Sequence, residues 1–126
     1  MYSREEIIKN YIEGYNSFNI EKMTKDIHED VLFENISNGN VTDSLNGRLD
    51  FIDQAEQAKS LFSDRFQEIT SQTHLENSSE VEIDYEATLA IDISETLKKG
   101  DKIKLKGKSI FEFNAENKII VIKDIS

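Results

Sequence analysis

Histidine and cysteine, the residue types that most often bind metals or act as nucleophiles, are nearly absent from this sequence of 126 residues. There is no cysteine, so thiolate ligands, cysteine nucleophiles and disulfides are excluded. The two histidines, His28 and His74, lack the close spacing of a metal-binding motif, and we predict no metal site and no cofactor. We expect His28 to end the second helix, where a cation suits the helix dipole, and His74 to lie on the surface of a strand.

Tyr11 is a candidate for catalysis by hydrogen bonding. It belongs to an apolar stripe with helical spacing, made of Ile7, Ile8, Tyr11, Ile12 and Tyr15. In an apolar cavity a tyrosine hydroxyl is a neutral hydrogen-bond donor that acts more strongly than in water. The alternative is structural: Tyr11 packs on a sheet, and a neighbouring group satisfies its hydroxyl.

The periodicities along the chain predict the element order α-α-β-α-β-β-β-β. Ser3 and Asn19 are the predicted N-caps of the first two helices, and Ser3 is followed by Glu6 as in a capping box. We predict the third helix at 49–62 and strands at 30–36, 65–76, 80–93, 101–113 and 118–125. The polar segment 37–47 contains two glycines and several asparagines, and we predict a long loop there.

Helices early in the chain and long strands late in it favour an α+β fold with an antiparallel sheet. Strands of this length must twist and coil, so we expect a curved, cone-shaped sheet with the three helices on its concave side. The length fits one domain, residues 1–126. Arg65, at the mouth of this cone, is expected to form an ion pair with Glu56 or Glu68; the alternative is that it binds an anionic ligand.

The charge of the chain argues against polyanionic partners. The formal net charge is −10 and no basic stripe is visible, so we predict neither a nucleic-acid nor a membrane partner. The chain starts with charged residues and has no apolar run long enough to cross a bilayer. We therefore expect a cytoplasmic protein.

Several segments together resemble the SnoaL-like branch of the nuclear-transport-factor-2-like superfamily. They are residues 11–16 (YIEGYN), 18–21 (FNIE), 28–35 (HEDVLFEN), 47–48 (GR), 107–114 (GKSIFEFN) and 118–124 (KIIVIKD). The superfamily includes steroid isomerases, polyketide cyclases, dehydratases and modules that only bind or dimerise, so the fold alone does not assign the function. The resemblance also implies a homodimer formed through the sheet.

The resemblance implies three positions that carry catalysis in steroid isomerases. Tyr11 matches the tyrosine that binds the oxyanion, Asn35 stands where the carboxylate base is expected, and Ser109 stands where a second acid is expected. An amide cannot abstract a proton, so we do not expect that mechanism here. The three remain candidate catalytic or orienting groups.

From these positions we predict an apolar ligand pocket with a few neutral polar groups. Its predicted lining consists of Tyr11, Tyr15, Phe33, Asn35, Phe51, Tyr85, Ser109 and Phe111. The leading hypothesis is a domain that binds a hydrophobic small molecule. The alternatives are an isomerase, cyclase or dehydratase that acts on a hydrophobic carbonyl compound, with a nearby acid as base, and a protein-association module that forms homodimers without a ligand.

Overall fold

The computed structural model describes residues 3–126, with three helices at the positions that the sequence predicts. They are α1 (Arg4–Asn16), α2 (Ile20–Thr24) and α3 (Arg48–Lys59). The Ser3 hydroxyl accepts a hydrogen bond from the Glu6 amide at 3.2 Å, and the Asn19 side chain accepts one from the Lys22 amide at 3.0 Å. Both predicted N-caps are therefore confirmed, and each starts its helix by satisfying a free backbone N–H group.

Six strands form one curved sheet in the order β2-β1-β6-β5-β4-β3. They are β1 (Ile27–Ser37), β2 (Asn40–Asn46), β3 (Phe62–His74), β4 (Ser78–Leu89), β5 (Lys102–Phe113) and β6 (Ile119–Ile125). The α+β class and the predicted order of helices and strands are confirmed, apart from one additional strand. Strands β3 to β6 form the expected antiparallel meander, whereas β1 pairs with β6 in parallel, so the sheet is mixed.

The additional strand, β2, occupies most of the segment predicted as a loop, and that prediction was wrong. Strands β1 and β2 form a hairpin that turns at Asn38 and Gly39, both with positive φ. An Asn-Gly pair suits such a turn, because both residues tolerate the left-handed backbone. The exposed strand β2 carries only two large apolar residues, Val41 and Leu45, so its alternation is too weak to recognise.

The predicted structural role of His28 was also wrong. Helix α2 ends at Thr24, and His28 lies in β1, where its Nδ1 accepts a hydrogen bond from the Asp30 amide at 3.0 Å. His74 lies exposed at the end of β3, as predicted, and its Nδ1 is 2.7 Å from the Ser79 hydroxyl.

The core lies between the helices and the concave face of the sheet. On β4 and β5 the odd-numbered residues face the helices, and the even-numbered ones form the convex face. Helix α1 packs closely on α2 at Gly14, where an added Cβ would lie only 2.5 Å from the Met23 backbone nitrogen. On the convex face, acids of β4 lie opposite lysines of β5, and the Asp84–Lys106 pair is 3.0 Å apart. The concave face is therefore the apolar one, and it holds the candidate site.

Candidate functional site

Three polar residues form a row across neighbouring strands on the concave face. Asn35 of β1 pairs with Asp124 of β6, and Asp124 pairs with Ser109 of β5. Paired residues on adjacent strands point to the same face, so the three side chains lie side by side. Sequence reasoning identified the two outer members of the row and missed the central one. The carboxylate that is absent at position 35 is thus present one strand away.

Asp124 is partly buried, and one of its oxygens accepts a hydrogen bond from the Ser109 hydroxyl at 2.7 Å. Loss of solvation raises the pKa of the Asp124 carboxyl above its ordinary value, and the hydrogen bond from Ser109 opposes that rise only in part. A carboxyl of this kind holds its proton more readily than one at the surface. It is therefore suited to donate or accept a proton nearer neutral pH.

Tyr11 is 5% exposed, and its ring packs edge-on against Phe111 at a centroid distance of 5.3 Å. Burial raises the pKa of the Tyr11 hydroxyl, and the nearby Asp124 charge raises it further. No hydrogen bond joins this hydroxyl to another side chain among residues 3–126. Tyr11 therefore offers a neutral donor that no side chain in the described part of the chain uses.

A cavity of about 120 Å³, called cavity 1 below, lies between the helices and the sheet. Both Tyr11 and Asp124 line it, and most of its remaining wall is apolar. The full lining is Tyr11, Tyr15, Met23, Phe33, Leu45, Phe51, Gln54, Ala55, Ala58, Arg65 and Asp124. A dry cavity of similar size holds a single aromatic ring.

A second cavity of about 310 Å³, called cavity 2, shares Tyr15 and Asp124 with the first. Asn35, Tyr85 and Ser109 line it as well. The Tyr15 and Tyr85 hydroxyl oxygens are 2.8 Å apart, so the two tyrosines satisfy one another. Burial raises the pKa of both hydroxyls, which keeps this pair neutral.

The predicted pocket residues are thus divided between two adjoining spaces. Cavity 1 has Tyr11, Phe33 and Phe51 in its wall, and cavity 2 has the polar residues of the row. Phe111 is fully buried beneath Tyr11 and lines neither cavity. The Asn35 amide donates a hydrogen bond to the Thr42 hydroxyl at 2.8 Å, so the hairpin of β1 and β2 holds that side chain in place.

Arg65 is buried, with only 5% of its surface exposed, and the predicted ion pair with Glu56 or Glu68 was wrong. Its Nε donates a hydrogen bond to the Tyr15 carbonyl oxygen at 2.9 Å. The guanidinium lies 3.7 Å from the ring centroid of Tyr15 and 4.4 Å from that of Phe18. Two aromatic faces therefore contact this cation where a carboxylate was expected.

The substitution Asp124→Asn should raise the free energy of unfolding above that of wild type, and by more at neutral pH than at acidic pH. A carboxyl whose pKa is raised by folding stabilises the fold fully below its unfolded pKa of about 3.9, and this contribution is lost as pH rises through the folded pKa. The amide cannot ionise, so the variant avoids the loss. Urea unfolding at pH 4 and pH 8 measures the effect. A difference in unfolding free energy between variant and wild type that does not grow with pH would contradict it.

Neither a membrane span nor a metal cluster is found in the part of the chain that the structure describes. No helix within residues 3–126 has the length and apolar character needed to cross a bilayer. Nor do three or more histidine, aspartate or glutamate side chains of these residues come together as metal ligands would.

The arrangement of three helices on the concave side of a curved sheet is similar to the fold of solved structures described as SnoaL-like and ketosteroid isomerase-like, as the sequence resemblance predicted. No protein-family model matches the sequence, and a search of curated proteins finds no match. The similarity is found among solved structures.

A candidate polyketide cyclase from Xanthomonas campestris pv. campestris has a TM-score of 0.82 and 15% identity, over 98% of this chain and 89% of that one. A candidate SnoaL-like polyketide cyclase from Shewanella denitrificans has a TM-score of 0.77 and 12% identity, over 97% and 88%. A protein with a ketosteroid isomerase-like fold from Catenulispora acidiphila, in complex with trimethylamine, has a TM-score of 0.75 and 10% identity, over 94% and 83%. Identities this low show a shared fold and leave the activity open.

Proposed function

We propose that this chain is an acid–base catalyst for a small, largely apolar carbonyl compound that binds in cavity 1. One observation carries the proposal: a carboxyl with a raised pKa and a tyrosine hydroxyl that bonds to no side chain of residues 3–126 line the same apolar space. A pocket used only for binding does not need a titratable group with a perturbed pKa, whereas catalysis of proton transfer does. The candidate polyketide cyclases among the similar structures support a carbonyl compound as the substrate.

In the proposed mechanism Asp124 moves the proton and Tyr11 binds the oxygen. The Asp124 carboxylate removes a proton from the carbon next to the carbonyl. The electron pair of that C–H bond forms a carbon–carbon double bond, and the π pair of the C=O bond moves to the oxygen. The Tyr11 hydroxyl donates a hydrogen bond to the resulting enolate oxygen. Apolar walls keep bulk water away, which strengthens that hydrogen bond.

The fate of the enolate determines the reaction type. Return of the proton from Asp124 to a different carbon is an isomerisation. Alternatively, attack of the enolate carbon on a second carbonyl closes a ring, and the alkoxide that forms takes the proton back from Asp124. The size of cavity 1 suits one ring of the substrate. A larger substrate extends towards cavity 2, which shares Asp124.

Exchange of α-hydrogens for deuterium tests the proposal without knowledge of the natural substrate. Acetophenone and other single-ring ketones are incubated with the protein in D₂O, and ¹H NMR measures the loss of the α-hydrogen signal. We expect wild type to accelerate exchange and Tyr11→Phe to lose about 10²-fold of that acceleration, because one oxyanion donor is removed. No acceleration for a ketone that raises the melting temperature would refute catalysis and leave a binding protein.

A further inference from the structure

A buried cation lies in the wall of cavity 1, and the described residues supply no counter-ion for it. Arg65 is 5% exposed, and no carboxylate among residues 3–126 forms an ion pair with it. Burial of an unpaired charge is costly, and proteins almost always place an opposite charge beside it. The two aromatic rings that contact the guanidinium offset only part of this cost.

The guanidinium also has a hydrogen-bond donor that the described part of the chain leaves unused. Its Nε donates to the Tyr15 carbonyl oxygen, but the buried Nη2 has no hydrogen-bond partner among residues 3–126. Tyr15 and Phe18 pack against the guanidinium through their ring faces. The N–H groups of a guanidinium lie in its plane and match the two oxygens of a carboxylate. A carboxylate that lies in the plane of the Arg65 guanidinium would both balance its positive charge and accept a hydrogen bond from Nη2.

We propose that Arg65 anchors an anionic group of the ligand, a carboxylate, within cavity 1. The inference rests on the proposed function only in that both place the ligand in this cavity. It narrows the ligand class from apolar carbonyl compounds to those that also carry an acid group. The apolar part of the ligand then lies against Phe33 and Phe51, and the carboxylate faces Arg65.

The other titratable groups in the cavity wall are compatible with an anion. Tyr11 and Tyr15 remain neutral because burial raises the pKa of each hydroxyl. The raised pKa of the Asp124 carboxyl reduces its tendency to carry a negative charge that would repel the ligand. Arg65 is the one cationic side chain among the described residues that line cavity 1.

Benzoate and benzamide form a matched pair of probes that tests this assignment. The two have the same shape and fit a single-ring cavity, but only benzoate is charged at pH 7. We expect isothermal titration calorimetry to show that wild type binds benzoate about tenfold tighter or more, since a hydrogen bond to a charged group is worth that factor. Arg65→Met should abolish the preference, and Arg65→Lys, which keeps the charge but not the planar fork, should keep part of it.

Arg48→Met is the matched control, because Arg48 lies outside the cavity wall and donates to the Thr24 carbonyl oxygen. This variant should keep the preference for benzoate. Equal binding of the two probes by wild type, or binding of neither, would overturn the assignment even if Arg65→Met does not fold. Ketone exchange by the same wild-type sample then decides separately whether the proposed function survives.

Discussion

Asp124→Asn is expected to lower the proposed catalysis of ketone α-hydrogen exchange by about 10²–10⁴-fold, because no carboxylate then remains among the described residues that line cavity 1. The amide retains an oxygen that can accept the Ser109 hydrogen bond, so the side chain should keep its place in the row with Asn35. Deuterium incorporation into acetophenone, followed by NMR at several pH values, measures the loss. In wild type the rate should rise as pH approaches the raised pKa of Asp124 from below.

The matched control is Asp84→Asn, which removes an aspartate from the convex face of the sheet. Asp84 forms an exposed ion pair with Lys106 and lines neither cavity 1 nor cavity 2. Its replacement should leave the exchange rate within about twofold of wild type, because Asp84 does not contact a ligand in either cavity. Loss of an exposed ion pair should also leave the protein folded, since such pairs contribute little to stability. If both variants lost activity equally, or if Asp124→Asn kept the wild-type rate, Asp124 could not be the base.

The same substitution should separate activity from stability. Loss of the carboxyl removes a group that folding makes harder to ionise, so Asp124→Asn should unfold less readily than wild type at neutral pH while it loses exchange activity. A catalytic carboxylate that is kept away from water lowers the free energy of unfolding, and such a cost is common at functional sites. A purely structural Asp124 would show the opposite combination, with reduced stability and no specific loss of activity.

The parts of the fold that follow from sequence are those with strong local signals. The N-caps at Ser3 and Asn19 and the long alternating strands β4 and β5 lie close to their predicted positions. Strand β2 was missed because an exposed edge strand has no apolar face to reveal its period. The Asn38-Gly39 pair, a typical hairpin turn, was the available signal for it.

The central residue of the site was missed for a physical reason. Strand β6 has apolar residues on both faces, so alternation alone does not show whether Ile122 and Asp124 or Val121 and Lys123 face the helices. Only the pairing of Asp124 with Ser109 and Asn35 decides this, and such pairing joins segments distant in sequence. Arg65 was misassigned to an ion pair with Glu56 or Glu68 because β3 is polar on both faces, so its pattern does not show which residues are buried.

Phe111→Ala is expected to cost about 3–5 kcal/mol of unfolding free energy, although Phe111 was first predicted as a pocket residue. Its side chain is fully buried and packs edge-on against Tyr11. Its strand neighbours Ser79 and Ile122 are fully buried as well, so little can move in to fill the space. Removal of the ring lowers the free energy of unfolding in two ways: the hydrophobic transfer energy of the ring is lost, and the cavity left behind costs van der Waals contacts. Urea unfolding followed by circular dichroism measures the change.

Phe66→Ala provides the comparison within the same sheet. Phe66 lies on the convex face and is 54% exposed, so its truncation should cost about 1 kcal/mol or less. Similar costs for the two variants would mean that Phe111 is not part of a close-packed core. Phe111 packs against the Tyr11 ring and holds it in the cavity wall. If that packing were loose, the Tyr11 hydroxyl would not be fixed in position, and its proposed role as an oxyanion donor would be contradicted.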